Sequence, residues 1–382
     1  MLNRFFKYGA FIYILNTILF SLVGFEWLAN YLFIFLMICI SFSLAVMPKI
    51  IKQIILHKSF KFYLFLNLIN IFYYLLFELG DVESLKYLLS RFAGLSIFAI
   101  SIDTNVDFYK EKMFSWISNL LIFVCVAGIV INFPSVGRYS GLIGNYNEFG
   151  VLMSIAFGFK YLSDEKRSFF DWGLLVFLCV MTIISGSRGA AIGLIIPIFL
   201  KDRSIIKPIL ISVFLGGLVF LLSQQITSET TFERFSSEHP LLHNRFYAFE
   251  YAASTFQQKW LSGHGLSHHS FINKDLINVD HRKHVIGAHN GYLAVLVQYG
   301  ILFAMLFFAN LIFGLTRISR FVIHCLDKSY VKSTVFILVY AFFYSAFETV
   351  MTGINNFHTA VFWFAFGVLF YESYGYDQLE KK

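Results

Sequence analysis

Three kinds of residue in this sequence stand where they could do chemistry. His289 and Asn290 come directly ahead of a long apolar run, "AHNGYLAVLVQYGILFAMLFFANLIFGL" (288–315). Histidine is the side chain best suited to accept a proton near neutral pH. At a helix N-terminus the backbone dipole disfavours the imidazolium, so a ring there stays neutral and basic and can activate a hydroxyl. The plain alternative is an interfacial or capping histidine, with Asn290 serving only as a cap. Arg188 sits in "SGSRGA" (185–190), a break between two apolar runs where small neighbours allow a tight turn and close backbone approach. A guanidinium, planar and permanently charged, suits a phosphate group better than an ammonium does. Otherwise Arg188 is a snorkelling arginine. Arg245 in "HNRFYAFE" (243–250) offers the same fork at the start of an amphipathic segment, or an ion pair with Glu250 or Glu148. Arg138 in "SVGRYSGLIGNYNEFG" (135–150) could assist with an anionic head group or be a solvated surface charge.

A metal is the rival chemistry. His264 and His268 in "GHGLSHH" (263–269) are spaced to share a helical face, and "DHRKH" (280–284) follows. Zinc needs three or four ligands with second-shell support, and no HExxH or Cys/His pattern is present. Neither a metal nor a cofactor is expected.

The elements that must position these residues are membrane spans. Apolar residues make up 58% of the 382-residue chain, aromatics 19% and charged residues 14%, and the mean hydropathy of +0.68 excludes an ordinary soluble domain. A bilayer core about 30 Å thick needs about 20 apolar residues per helix, with every backbone polar group satisfied internally. Twelve stretches qualify, near 8–24, 28–47, 62–79, 85–101, 114–132, 148–162, 172–186, 190–201, 208–223, 290–315, 333–350 and 359–375. The eighth is short. The first follows "MLNRFFK" without a cleavage site and is read as a retained span.

Charge placement orients the bundle. With a cytoplasmic N-terminus most of the 30 Lys and Arg residues fall on the inner side, in Arg4 and Lys7, in "PKIIKQIILHKSFK" (48–61), in "KDRSIIK" (201–207), between Arg317 and Lys332, and at Lys381 and Lys382. Both termini are then cytoplasmic. The net charge of +7 is a topology signal and implies no nucleic-acid partner. Against the rule, Lys86, Arg91, Arg138, Arg188, Arg234, Arg245, Lys259, Lys274, Arg282 and Lys283 face outward, and each invites a reason. Cys39, Cys125 and Cys179 lie in spans and Cys325 in an inner loop, so no disulfide framework is implied.

The chain thus divides into nine spans (1–223), a large outer loop (224–288), and three spans with a cytoplasmic C-terminus (289–382). Eight of the eleven histidines lie in that loop or at its end: His239, His243, His264, His268, His269, His281, His284 and His289. A loop of this length should be a small helical cap, and Phe246, Phe249, Ala253, Phe256 and Trp260 recur at helical spacing as its docking face. Glu78, Glu148 and Glu348 sit at the outer ends of spans. A transporter would ordinarily carry ionisable groups at mid-depth. Polar groups gathered at one interface fit an enzyme with one substrate in the membrane and another outside.

In order along the chain, "GLIGNYNEFGVLMSIAFG" (141–158), "SGSRGAAIGLII" (185–196), "HNRFYAFEYAASTFQQKWLSGHGLSHHSF" (243–271) and "AHNGYLAVLVQYG" (288–300) resemble the motifs of the O-antigen ligase and polysaccharide polymerase superfamily of bacterial membrane glycosyltransferases. The resemblance implies an all-α, GT-C-like bundle of about twelve transmembrane helices in the bacterial inner membrane, with a periplasmic active site. It implies metal-independent transfer of glycan from undecaprenyl diphosphate to an acceptor glycan or lipid A-core, with a flippase and a chain-length regulator as possible partners. By motif, the catalytic roles fall on Arg188 and Arg245 at the diphosphate and on His289 as base. Arg138, Glu148, Asn290 and the Gly-x-Gly pair Gly263 and Gly265 are the expected substrate-binding positions. The chain departs from the pattern where Tyr146 and Trp260 or its neighbours replace usual prolines and where Phe303 replaces a smaller residue. A repeat-unit polymerase is the leading reading and a ligase the second. A lipid-linked glycan flippase or transporter, or a structural membrane protein, would instead form no glycosidic bond.

Overall fold

The computed structural model describes residues 6–134, 137–163, 166–201, 241–278, 285 and 287–380, with the helical backbone alone at 241–246 and 377–380. Apolar stretches become helices α1 (Gly9–Ser21), α2 (Glu26–Val46), α3 (Pro48–Ile55), α4 (Lys61–Phe77), α5 (Val82–Glu111), α6 (Met113–Ile131), α7 (Tyr146–Leu162), α8 (Phe169–Ile184), α9 (Arg188–Lys201), α10 (Leu241–Gln258), α11 (Gly291–Cys325), α12 (Ser329–Tyr344) and α13 (Phe357–Glu380). Eleven of the twelve expected spans coincide with a helix, and the one near 208–223 lies outside the described residues. Five of these helices, α2, α5, α6, α11 and the stretch Lys58–Phe77 that contains α4, are long and apolar enough to cross a bilayer, and α1, α8 and α12 are shorter apolar helices. Among the described residues there is no strand, only an isolated antiparallel bridge between Leu22 and Ile143. The protein is a multi-pass helical membrane protein.

Local chemistry sets the helix starts. Asp81 caps α5 by accepting from the Ser84 amide at 2.9 Å, and Ser168 and Asp171 form a reciprocal capping box on α8. Helix α13 is the centre of the bundle. Phe357 to Phe370 is buried at every position, as expected of a helix apolar all round and surrounded by others. It packs on α1, α5, α11 and α12. On one side α7, α8, α9 and α12 form a tight group in which small residues let backbones approach. A Cβ at Gly193 would lie 2.6 Å from the Ser154 hydroxyl, and one at Gly150 would overlap that of Ser185. At the far edge, α2 leaves Trp27, Tyr31, Ile34, Ile38, Phe42 and Val46 exposed along one stripe, a lipid-facing surface.

The loop does contain a helix, α10, but it docks on a different face from the expected one. Ala248, Ala252 and Thr255 are its buried positions, while Phe249, Ala253 and Phe256 are half-buried and Trp260 is 56% exposed. Small side chains win the contact because α10 lies directly on the start of α11, where Ala288 and Ala294 complete the cluster with Ile272 and Ile277. The large aromatics would hold the two backbones apart. Phe246 has no described side chain.

Candidate active site

The first half of the site is the turn between α8 and α9. Asn145 caps α7, accepting from the amides of Asn147 at 2.8 Å and Glu148 at 3.4 Å. This aims Asn147 at Arg138, whose Nη2 donates to its Oδ1 at 2.7 Å while Nε donates to the Ser185 carbonyl at 2.7 Å. The same guanidinium lies 4.7 Å over the Tyr146 ring, a cation–π contact. Gly186 must be glycine here: its φ is +66°, and a Cβ would come within 2.9 Å of Arg138 Nε. Arg138 therefore holds the turn. Arg188, the first residue of α9, is exposed and forms no ion pair among the described residues. An exposed guanidinium at a helix N-terminus, with Gly186 and Gly189 close by in sequence, is a ready anion site.

The second half is the start of α11. Asn290 caps the helix with bonds of 3.0 Å from the amides of Tyr292 and Leu293, and its Nδ2 donates to the Ala346 carbonyl at 3.3 Å. The Gly291 amide donates to the Ser345 carbonyl at 2.6 Å. Pinned from this side, His289 adopts a left-handed backbone with φ of 41°, one of two non-glycine residues with positive φ among those described. Its Nδ1 stands 3.2 Å from Glu348 Oε2. An ionised carboxylate only accepts, so Nδ1 is the donor in this contact, and in the neutral ring that leaves Nε2 as the acceptor. From sequence, only the helix terminus acted on this ring. The structure adds a carboxylate.

Glu348 also joins the two halves. Its amide donates to the Tyr344 carbonyl at 2.9 Å, and Gly189 packs against the Tyr344 ring so closely that a Cβ would lie 2.4 Å from it. Gly189, next to Arg188, and Gly291, two residues after His289, thus pack on the adjacent residues Tyr344 and Ser345. Arg245 lies in α10 one turn before Ala248, which shares a cluster with Ala288, but its side chain falls outside the described residues. The same holds for Arg234, His239, His243, His281, Arg282, Lys283 and His284.

The remaining expected positions are engaged within the fold. Glu148 accepts a hydrogen bond from the Ser21 hydroxyl, tying α7 to the end of α1. Gly263 and Gly265 belong to a clasp. The amides of His264 and Gly265 donate to the carbonyls of Val297 and Gln298 at 2.8 and 3.1 Å, and the Ile301 amide donates to the Trp260 carbonyl at 2.8 Å. The clasp fits a break in α11 at Gly300, whose φ is 66°. At Gly263, with φ of +73°, a Cβ would lie 2.4 Å from the Gln298 carbonyl oxygen. Glu78 closes the other side by accepting from the Leu266 amide at 2.9 Å. Phe303 packs edge-on against Tyr73 with centroids 5.2 Å apart.

His264 and His268 do not share a helix, because 261–270 is a chain of turns. His264 Nε2 bonds the Thr255 carbonyl at 2.8 Å and His268 Nδ1 the Ser267 hydroxyl at 3.2 Å. Burial holds both His264 and His269 below the usual histidine value of 6.5, against hydrogen bonds to backbone carbonyls that pull the other way. Each ring binds fewer protons folded than unfolded, so acid weakens the docked segment as pH falls below 6.5. Hydrogen exchange across 261–278, corrected for its intrinsic pH dependence, should lose protection between about pH 7 and about pH 5; protection that holds or rises would refute this.

Residues 173–308 match the family described as O-antigen ligase. Over this stretch, about a third of its length, the chain is similar to the O-antigen ligase family, which supports the resemblance read from its motifs. The matched stretch opens inside α8, takes in Arg188, Arg245, the clasp glycines and His289, and ends beyond Gly300; Arg138, Glu148 and Glu348 lie outside it. No curated protein matches the chain. Glu348 is the residue beside His289 that sequence reasoning left without a role. The available signal was an acid at the end of a span, with nothing local to connect it to a histidine 59 residues away.

Proposed function

We propose that the protein is a glycosyltransferase that joins a glycan carried on undecaprenyl diphosphate to an acceptor glycan at the periplasmic face of the inner membrane. The observation that carries this reading is an imidazole beside a carboxylate and an exposed guanidinium at a helix N-terminus, both within the stretch that matches the O-antigen ligase family and each next to a residue that packs on the end of α12 or the turn after it. The acceptor hydroxyl oxygen attacks the anomeric carbon as its proton passes to His289 Nε2. The bond from that carbon to the phosphate oxygen breaks, and the diphosphate leaves with the electron pair. Arg188 and Arg245 meet the developing charge, so the reaction runs without a metal. Arg138, Glu148, Asn290, Gly263 and Gly265 shape the surface on which the sugars lie.

Polymerisation of repeat units while they remain on the carrier is the leading form of this reaction, supported by a modest outer loop. The family's description as O-antigen ligase favours a second form, transfer of finished glycan onto lipid A-core. Purified protein given polyprenyl-diphosphate repeat units, alone or with core lipid and in the presence of a chelator, distinguishes them. Longer carrier-linked glycan from repeat units alone indicates a polymerase, and product only on core lipid a ligase. No new glycosidic bond in either mixture would refute both in favour of a flippase, transporter or structural protein.

A further inference from the structure

Arg91 is one of the basic residues that the orientation rule left unexplained. It lies in the third turn of α5, 7% exposed, where a buried charge is costly unless its donors are met. Its partners are carbonyls. Nη2 donates to Met351 at 2.7 Å and Nη1 to Gly353 at 3.3 Å, and the guanidinium stacks 5.0 Å from the Trp363 ring. Trp363 Nε1 donates to the same Met351 carbonyl at 3.0 Å, and the Tyr87 hydroxyl donates to the Thr352 carbonyl at 2.8 Å. Three consecutive carbonyls of a non-helical segment are thereby gripped from α5 and α13.

That segment, residues 345–356, is the strap between α12 and α13 and carries Glu348 three residues before Met351. The Thr352 hydroxyl reaches across to the His269 carbonyl at 3.2 Å, and Tyr87 stacks on the His269 ring at 6.3 Å, so the strap is fixed from the loop side as well. A strap outside a helix has no intrinsic ladder for its carbonyls and needs donors from elsewhere. A rigid guanidinium fork can serve two of them in one fixed geometry, which a lysine cannot.

We infer that Arg91, with Tyr87 and Trp363, is a positioning residue that sets the strap so that Glu348 meets His289 Nδ1. This rests on the reading of His289 as the base. A double-mutant cycle on the purified full-length protein tests it, with transfer of polyprenyl-diphosphate-linked repeat units as the readout. Arg91→Met and Glu348→Gln should each lower kcat by about tenfold to a hundredfold, the cost of misplacing a catalytic group by a fraction of its contact distance, with KM for the lipid-linked donor held within about twofold. Because both act through one contact, Arg91→Met should cost less than about twofold more in the Glu348→Gln background. An equal further loss in that background, or an unchanged kcat for Arg91→Met alone, overturns the inference. If Arg91→Met fails to accumulate in the membrane, Tyr87→Phe removes one strap bond with less disturbance, and its loss of about threefold should likewise vanish beside Glu348→Gln. Full activity in His289→Ala would instead overturn the base assignment itself, whatever Arg91 does.

Discussion

Replacing His289 by alanine is expected to lower glycan transfer by about 10²- to 10⁴-fold, the range a positioned general base contributes. The protein should still reach the membrane, because His289 precedes the cap of α11 and the helix start is held independently by Asn290 and by the bond from the Gly291 amide to Ser345. Alanine in a left-handed backbone is disfavoured by about 1–2 kcal/mol, so the variant's melting temperature should be measured beside its activity. A loss of transfer matched by wholesale unfolding would assign His289 to the fold, and normal glycan length would remove it from the chemistry altogether.

Arg188→Ala should cost about 10²- to 10³-fold, the value of one electrostatic contact to a developing charge. The lysine variant is the sharper test. If Arg188 is there to orient or snorkel, Lys serves as well, since membrane topology and snorkelling respond to either cation. If it grips a diphosphate through a planar fork, Lys offers one compact charge in place of two parallel donors. Transfer by Arg188→Lys should then remain at least about tenfold below the parent. Activity restored to the parent level would return Arg188 to the class of topological charges. The exposed side chain at the first position of α9 makes a general loss of folding an unconvincing explanation for either variant.

The spans were legible because hydropathy reports directly on transfer into lipid. Residues 62–79 and 114–132 became Lys61–Phe77 and Met113–Ile131 with ends moved by two residues or fewer. The cap at Asn290 was legible too, since it acts on amides two and three residues away. The docking face of α10 was not. Periodicity marks where apolar side chains recur, and a large aromatic recurs as regularly on a half-buried face as on a buried one; whether Ala248 or Phe249 meets α11 depends on how closely two backbones approach. The pairing of His289 with Glu348 and the bonds from Arg91 to Met351 and Gly353 were beyond reach for another reason. Each joins residues that only the folded bundle brings together, and the receiving groups at Met351 and Gly353 are main-chain carbonyls, which every residue possesses.

The break in α11 has a bearing on how the chain is assembled. Hydrocarbon tolerates no unsatisfied peptide group, so a span interrupted at Gly300 is incomplete by itself. Its vacant partners are supplied by the peptide groups of 260–265, a segment that leaves the ribosome before α11 does. The partners that the gap needs are therefore already synthesised when α11 emerges, and no later part of the chain has to be awaited to close it.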